Sequence, residues 1–371
     1  MNKNKQVLLG IVAAVVVLCV VVAIVVNQRE HEDDQNTIKI GAILPMTGEL
    51  SFYGEWGKNA FSMIEADNPD VRFFIEDSEG IPRSGLSAAR KLLHNDNITF
   101  FVTSLSFIAS AIQPVFDEIK VPNVTLSMDE ELERESPYNF RVYISLIDEM
   151  KKLIEFVDTH GLSSVAVIYA DIPAARGAVE HFLVPELNKR NIGIITEPFN
   201  LGARDYRSHL ITISRGNPDI IRIIDVADNL ASILQQFEEG KFSPETRFIV
   251  SGVEALFMDT KRLTSTMEEK FYFTAPPAVF SDDNLFIESY EIKYGKRPSY
   301  DAMLAYDAAM MLIKSIRASS NRNDTDSVVA NFLSIGTYSG VAGEYTINEY
   351  GGASPRINWA QYKNGIPVFC E

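Results

Sequence analysis

Ile38-Lys39-Ile40-Gly41-Ala42-Ile43-Leu44-Pro45-Met46-Thr47-Gly48 is the stretch on which the fold turns. A short apolar run stops at a proline and a glycine, the pattern of a buried strand running into a turn. Downstream, Ala60, Phe61 and Ile64 lie at helical spacing within Gly57 to Ala66, and Val71 to Ile75 forms a second strand ending in Glu76-Asp77. Pro82 to His94 reads as a helix with Leu86, Ala89, Leu92 and Leu93 on one face. Ile98 to Val102 is a third strand ending in Thr103-Ser104, Ala109 to Ile119 a helix, and Val121 to Leu126 a fourth strand. Strand and helix alternate, and the strands are near-continuously apolar, so the expectation is a parallel sheet covered on both faces.

The alternation then starts again. Met150 to His160 is helical, Ser163 to Tyr169 a strand, Gly177 to Arg190 a helix and Ile192 to Thr196 a strand. Asp205 to Ser214, Ile220 to Asp225, Leu230 to Phe237 and Arg247 to Val250 continue as helix, strand, helix and strand. Two sets of β/α units predict two Rossmann-like α/β lobes with parallel sheets, the boundary falling near Arg141 to Asp148. The tail adds a strand at Phe271 to Phe273, helices at Leu285 to Tyr294 and Tyr300 to Arg317, and an expected terminal strand pair, Tyr345 to Ile347 with Trp359 to Tyr362. No short repeat and no low-complexity segment is present.

Upstream of Ile38, Val7 to Val26 is an uncharged apolar run, long enough to cross a hydrocarbon core as a helix. Lys3 and Lys5 precede it; Glu30, Glu32, Asp33 and Asp34 follow. The positive-inside rule then leaves residues 1–6 as a cytoplasmic tip and places everything beyond the 27–37 linker outside. The expected location is the cell membrane, single-pass, with the binding part extracytoplasmic. A cleaved signal peptide is the rival reading, but Ala23 is the only small residue near the end of the run. A lipoprotein acylated at Cys19 is a third, and Leu18 is too bulky for such a site.

The 371 residues leave room for two medium domains after that run. Of two cysteines, one lies in the apolar run and Cys370 is penultimate, so neither an internal disulfide nor a zinc cluster is expected. A net charge of −16 argues against nucleic acid as a partner. His31, His94, His160, His181 and His209 are scattered without metal-ligand spacing. There is no nucleophile elbow and no phosphate-cradling loop, and Gly340-Val341-Ala342-Gly343 reads as a turn before a strand. The sequence therefore predicts neither an enzyme nor a cofactor.

A ligand of a parallel sheet sits beyond the carboxyl ends of the strands, where helix N-termini offer free N–H groups and partial positive charge. Among the loops found there, Ser104 and Ser106 are candidates for contacts to a carboxylate; Ser106 is equally suited to cap the helix it opens. Ser127 follows the fourth strand as a further polar contact. Asp129 would repel a carboxylate at short range, so it either caps the next helix or meets a cationic part of the ligand. Asp171 ends a second-lobe strand and is a candidate ammonium partner, with capping as the alternative. Tyr300, opening a long helix, is a candidate wall. Asp77 is read as orienting a turn.

Several stretches together resemble the type I periplasmic binding proteins, in particular the branched-chain amino acid and amide branch that serves ABC transporters. They are Ile38–Gly41 through Pro45–Gly48 with Tyr53-Gly54; Ile75–Ser78 with Ser87–Leu92; Val121-Pro122 with Ser127; Asp205–Leu210 with Asn217–Ile221; and Pro298–Tyr300 with Leu304–Ala308. The resemblance implies two lobes joined by three crossovers. It divides the chain into a first lobe of 38–143 plus 275–342 and a second of 144–274 plus 343–371. It implies that Tyr53 covers the ligand, with ordinary core packing as the alternative. It also implies an acidic partner for the ligand's amine near Glu254, whose register is shifted by about two residues from the family's usual one. The Tyr-Gly pair common in relatives is replaced by Ala174-Ala175, so the aromatic wall of the second lobe is missing. The implied function is capture of a small polar ligand, an amino acid or amide, between the lobes and its delivery to an ABC transporter permease. The alternative is an extracytoplasmic sensor of the same fold acting through a separate partner.

Overall fold

The computed structural model describes residues 37–95, 98–225, 229–238, 242–257, 265–281 and 283–370. The apolar run Val7 to Val26 and Cys19 lie outside the described residues, and among those described no helix is long and apolar enough to cross a membrane.

The first lobe opens with β1 (Ile38–Leu44), α1 (Ser51–Asp67), β2 (Val71–Asp77), α2 (Pro82–Asn95), β3 (Phe101–Ser104), α3 (Ser106–Glu118), β4 (Asn123–Leu126), α4 (Glu131–Glu135) and β5 (Asn139–Val142). The second contains α5 (Leu146–Thr159), β6 (Ser164–Ala170), α6, β7 (Gly193–Phe199), α7 (Arg207–Arg215), β8 (Ile220–Ile224), α8 (Leu230–Glu238), β9 (Arg247–Ser251), α9 (Gly252–Phe257), α10 (Ser265–Glu268) and β10 (Phe271–Ala275). Helix α6 starts at Pro173–Arg176, continues as a π-helical stretch Gly177–Leu183 and ends in Val184–Lys189. The chain then returns to the first lobe with α11 (Leu285–Tyr294), α12 (Tyr300–Ala318), α13 (Thr325–Leu333), β11 (Thr337–Ser339), β12 (Glu344–Ile347) and β13 (Gly352–Pro355). It finishes in the second with β14 (Asn358–Lys363) and β15 (Ile366–Phe369).

Two sheets result, ordered β11-β12-β13-β5-β4-β3-β1-β2 and β15-β14-β10-β9-β8-β6-β7. Their order makes the chain pass between them three times, after β5, after β10 and after β13. The sheets are mixed rather than parallel throughout. β1 to β5 pair parallel, as do β6 to β10, but β11, β12 and β13 are antiparallel neighbours, and β14 runs antiparallel to both β10 and β15.

The expected terminal strand pair does not form. Tyr345–Ile347 belongs to β12 of the first sheet, and Trp359–Tyr362 to β14 of the second. The last passage between lobes therefore follows Pro355 and not residue 342. Alternating apolar residues mark a strand but do not say which sheet it joins. Here β13 is held to the first sheet by pairing with β5 at Gly352↔Arg141 and Ala353↔Val142.

Helix α1 begins at Ser51, before the expected Gly57, because its glycines are packing residues. A Cβ on Gly54 would stand 2.2 Å from the Pro45 carbonyl oxygen, so only glycine lets this helix lie on the turn after β1. Its buried face, Trp56, Ala60, Phe61 and Ile64, joins the first-lobe core together with α12, which is apolar on nearly every face. Helix α5 likewise starts earlier than expected, at Leu146, because the Ser145 hydroxyl accepts the Asp148 N–H at 3.1 Å as an N-cap. Beyond the third passage, Trp359 of β14 packs edge-on against Phe156 of α5, with ring centroids 5.1 Å apart.

Candidate functional site

A cavity lies between the lobes at the carboxyl ends of the strands. The first lobe lines it with Tyr53, Ser104, Leu105, Ser106, Phe107, Leu126, Ser127, Met128, Tyr143, Asp301 and Ala305. Beyond the first passage, Leu146, Ile172, Ala174, Ala175 and Ile224 complete the wall. Every polar group among these comes from the first lobe, and the second supplies an apolar face. The free volume is about 50 Å³, room for no more than a few waters, so the lobes are drawn together. A wider space of about 750 Å³ adjoins it along Met128, Leu146 and Ala174.

The chemistry of the inner cavity centres on the start of α3. Leu105 precedes the helix at φ 75°, a backbone region that favours glycine. Its N–H donates to the Leu126 carbonyl at 3.1 Å, and its own carbonyl accepts from Ile108 and Ala109 at 3.2 and 3.0 Å. No side chain among the described residues caps this helix. The capping alternative for Ser106 is therefore not realised: it is the first helical residue, and it lines the cavity. A strained residue held by its neighbours thus keeps a helix N-terminus open toward the cavity, the arrangement that accepts an anion.

Ser104, at the end of β3, is buried and lines the same cavity. Ser127 is also buried; its hydroxyl oxygen accepts the Asp129 N–H at 3.0 Å, leaving its own O–H to donate. Tyr53, on α1, is half-buried and lines the cavity. Its ring lies against Phe52 at 4.5 Å and against Trp56 at 5.5 Å, so packing and covering the cavity are both roles it fills. The four residues Tyr53, Ser104, Ser106 and Ser127 are brought together.

The other expected residues are placed differently. Asp129 accepts the Glu131 N–H at 3.2 Å and lines the adjoining wider space, not the inner cavity. Burial holds its carboxyl above the ordinary value against the pull of that N–H. Asp171 is taken up by the Arg176 guanidinium and does not line the cavity. Tyr300 is buried beside the cavity and not in its wall, and its hydroxyl has no hydrogen-bond partner among the described residues. Glu254 lies on α9, with its side chain outside the described part of the structure. Asp77 orients the turn after β1, accepting N–H groups of Met46 and Glu79 at 2.8 and 2.7 Å and the Thr47 hydroxyl at 2.6 Å.

Two polar side chains of the cavity wall lie outside the sequence-based set. Tyr143 follows β5, and its hydroxyl donates to Asp301 in the first turn of α12. Asp301 is only 6% exposed. Burial pushes its carboxyl up to about 7, against the hydrogen bond from Tyr143 that favours the ionised form. The signal that finds it is α12 itself: a helix apolar all round carries a carboxylate only where a cavity or a partner receives it. Asp307, two turns on, is different. It accepts the N–H groups of Val341 and Ala342 at 2.8 Å each and the Tyr345 hydroxyl at 2.9 Å, fastening the loop before β12.

The Asp301 shift has a testable sign. Its folded pKa, about 7, lies above the ordinary 3.8, so the folded protein holds this proton more tightly. The resulting stabilisation is full below pH 3.8 and is lost as pH rises through about 7. Asp301→Asn keeps the group neutral at every pH. The melting temperature of the wild type relative to this variant should therefore fall between roughly pH 4 and pH 8. A difference that stays flat across that range would show that Asp301 titrates normally.

The family model described as periplasmic binding protein matches residues 37–365. Solved structures of the same fold include a leucine-binding protein from Thermotoga maritima, with 22% identity and a TM-score of 0.78 over 90% of this chain and 98% of that one. A solute-binding protein of an ABC transporter from Rhodopseudomonas palustris, in complex with 3,4-dihydroxybenzoic acid, matches with 20% identity and a TM-score of 0.77 over 90% and 97%. A branched-chain amino acid transporter substrate-binding protein from Streptococcus pneumoniae, in complex with isoleucine, matches with 19% identity and a TM-score of 0.71 over 89% and 97%. At these identities the likeness is one of fold. No curated protein sequence matches the chain.

Proposed function

The chain belongs to the periplasmic binding protein family, and from that premise we propose that it captures a small carboxylate-bearing solute, an amino acid or an amide derivative of one, between its lobes and presents it to the permease of an ABC transporter. One observation carries this reading. Ser104, Ser106 and Ser127 surround an uncapped helix N-terminus inside the interlobe cavity, where donors and partial charge favour an anion. The leucine, isoleucine and dihydroxybenzoate named for the structural neighbours all present a carboxylate, which supports the same end of the site. Polar groups on one lobe and an apolar face on the other suit a sequence in which the ligand docks first and the second lobe closes over it. Closure draws its free energy from the ligand's tighter binding to the closed state. The apolar run Val7 to Val26 supports a membrane tether with the lobes on the extracytoplasmic side.

The test is a thermal-shift panel of amino acids, amides and aromatic carboxylates on the purified protein. A ligand present at about 100 times its Kd stabilises by about 2.7 kcal/mol, a shift of a few degrees for domains of this size. At least one carboxylate should produce it. A panel without a shift would end the solute-binding reading. Small-angle scattering that is identical with and without a bound ligand would end the closure mechanism.

A further inference from the structure

We infer that Asp301 is the specificity-determining residue of the cavity and that it selects a solute carrying a cationic amine as well as a carboxylate, a small amino carboxylate rather than a simple organic acid. The inference rests on the cleft being the solute site.

Its physical basis is a charge without a counter-charge. Asp301 lines the cavity while being 6% exposed. The Tyr143 hydroxyl donates to it, and no second side chain among the described residues does. Among the described residues no lysine, arginine or histidine lines the cavity. Two of the other deeply buried carboxylates meet a cation, Glu133 with Arg141 at 2.9 Å and Glu149 with Arg222 at 2.6 Å. The other two stand outside the cavity wall: Asp225 accepts the Asn229 N–H at 3.1 Å, and Asp307 receives three hydrogen bonds from the loop before β12 and from Tyr345. A buried carboxylate met only by neutral donors, the Tyr143 hydroxyl and its own backbone N–H, is undercompensated, and a cation brought by the ligand supplies what the protein omits. The groups on the opposite side are Ile172, Ala174, Ala175 and Ile224, which offer a cation nothing and exclude water around the pair. The serines at the start of α3 take the carboxylate, so the two polar ends of the solute are read by two different parts of the first lobe. Of the residues the sequence nominated for the amine or the wall, Asp129, Asp171 and Tyr300 lie outside this cavity, and the Glu254 side chain lies outside the described residues.

Isothermal titration with matched pairs tests this. Leucine is compared with 4-methylpentanoate, and phenylalanine with 3-phenylpropanoate, each pair differing by the amine alone. The wild type should bind the amino member of a pair about 10- to 100-fold more tightly, the range for a hydrogen bond to a charged group. In Asp301→Asn, which preserves an acceptor for Tyr143, that preference should fall to a few-fold while the deaminated acids bind as before. Equal binding of both members by the wild type, or an unchanged preference in Asp301→Asn, would overturn the inference and leave the solute site standing. If Asp301→Asn does not fold, Asp301→Ser takes its place, with the same loss of preference expected and an unchanged preference overturning the inference. If no member of either pair and no other carboxylate binds, the solute-site reading fails and this one with it.

Discussion

Arg141→Ala should lower the free energy of unfolding by about 3–5 kcal/mol, the range for stranding a buried charge. Arg141 is 1% exposed, on β5. Its Nε donates to Glu133 at 2.9 Å, one terminal nitrogen donates to the Tyr143 carbonyl at 2.7 Å, and both reach the Ser354 hydroxyl at 3.2 Å. It therefore ties together α4, the strand that leads into the first passage between lobes, and the strand that precedes the third. Without it Glu133 is buried alone. Burial already pushes that carboxyl up to about 7 despite Arg141, and the variant raises it further. A raised folded pKa means stability that is present at acid pH and lost as pH climbs through that value. The loss on substitution should thus be small near pH 5 and large near pH 8, and adding Glu133→Gln should recover part of it. Denaturant titrations at the two pH values measure this. A loss below about 1 kcal/mol at both would mean that the pair is a bystander.

Ser104→Ala, Ser106→Ala and Ser127→Ala combined should reduce affinity for a carboxylate ligand by about 10³-fold or more, since each hydrogen bond to a charged acceptor contributes about 1.5–3 kcal/mol. The hydroxyls of Ser104 and Ser106 have no hydrogen-bond partner among the described residues, so their removal should leave the melting temperature of the empty protein nearly unchanged. Ser127 is expected to contribute about 1 kcal/mol to folding through its bond from the Asp129 N–H. Measured side by side, affinity should collapse while stability hardly moves. A triple variant that still binds like the wild type would remove the carboxylate end of the site from the start of α3.

What could be read from the chain follows from what is local. The apolar runs at Ile38–Leu44, Val71–Ile75 and Ser163–Tyr169 correspond to β1, β2 and β6 because their burial and their bounding turns are written in consecutive residues. That Ser104, Ser106 and Ser127 line the cavity follows from position in the same way, each lying at or just past the end of a strand. Sheet membership of β12 and β14 was not, since an alternating run looks the same in either sheet. Asp301 was missed because an acid in a first turn has an ordinary reading as a partner of the helix dipole. Only the arrival of Tyr143 from β5 gives it another. Asp171 was misread in the opposite sense: the strand end is there, but Arg176, five residues on, reaches it first.

The ring packing around Tyr53 makes the molecule its own optical instrument. The chain has two tryptophans. Trp56 stands nearly perpendicular to Tyr53, at 82°, on the cavity side of the first lobe, and Trp359 sits just past the third passage in the second. Trp56 is thus placed to report on the cavity through Tyr53, and Trp359 on the third passage. Exchanging Trp359 for phenylalanine leaves a single tryptophan, whose emission, excited selectively over the tyrosines, should change on arrival of a solute, without any label.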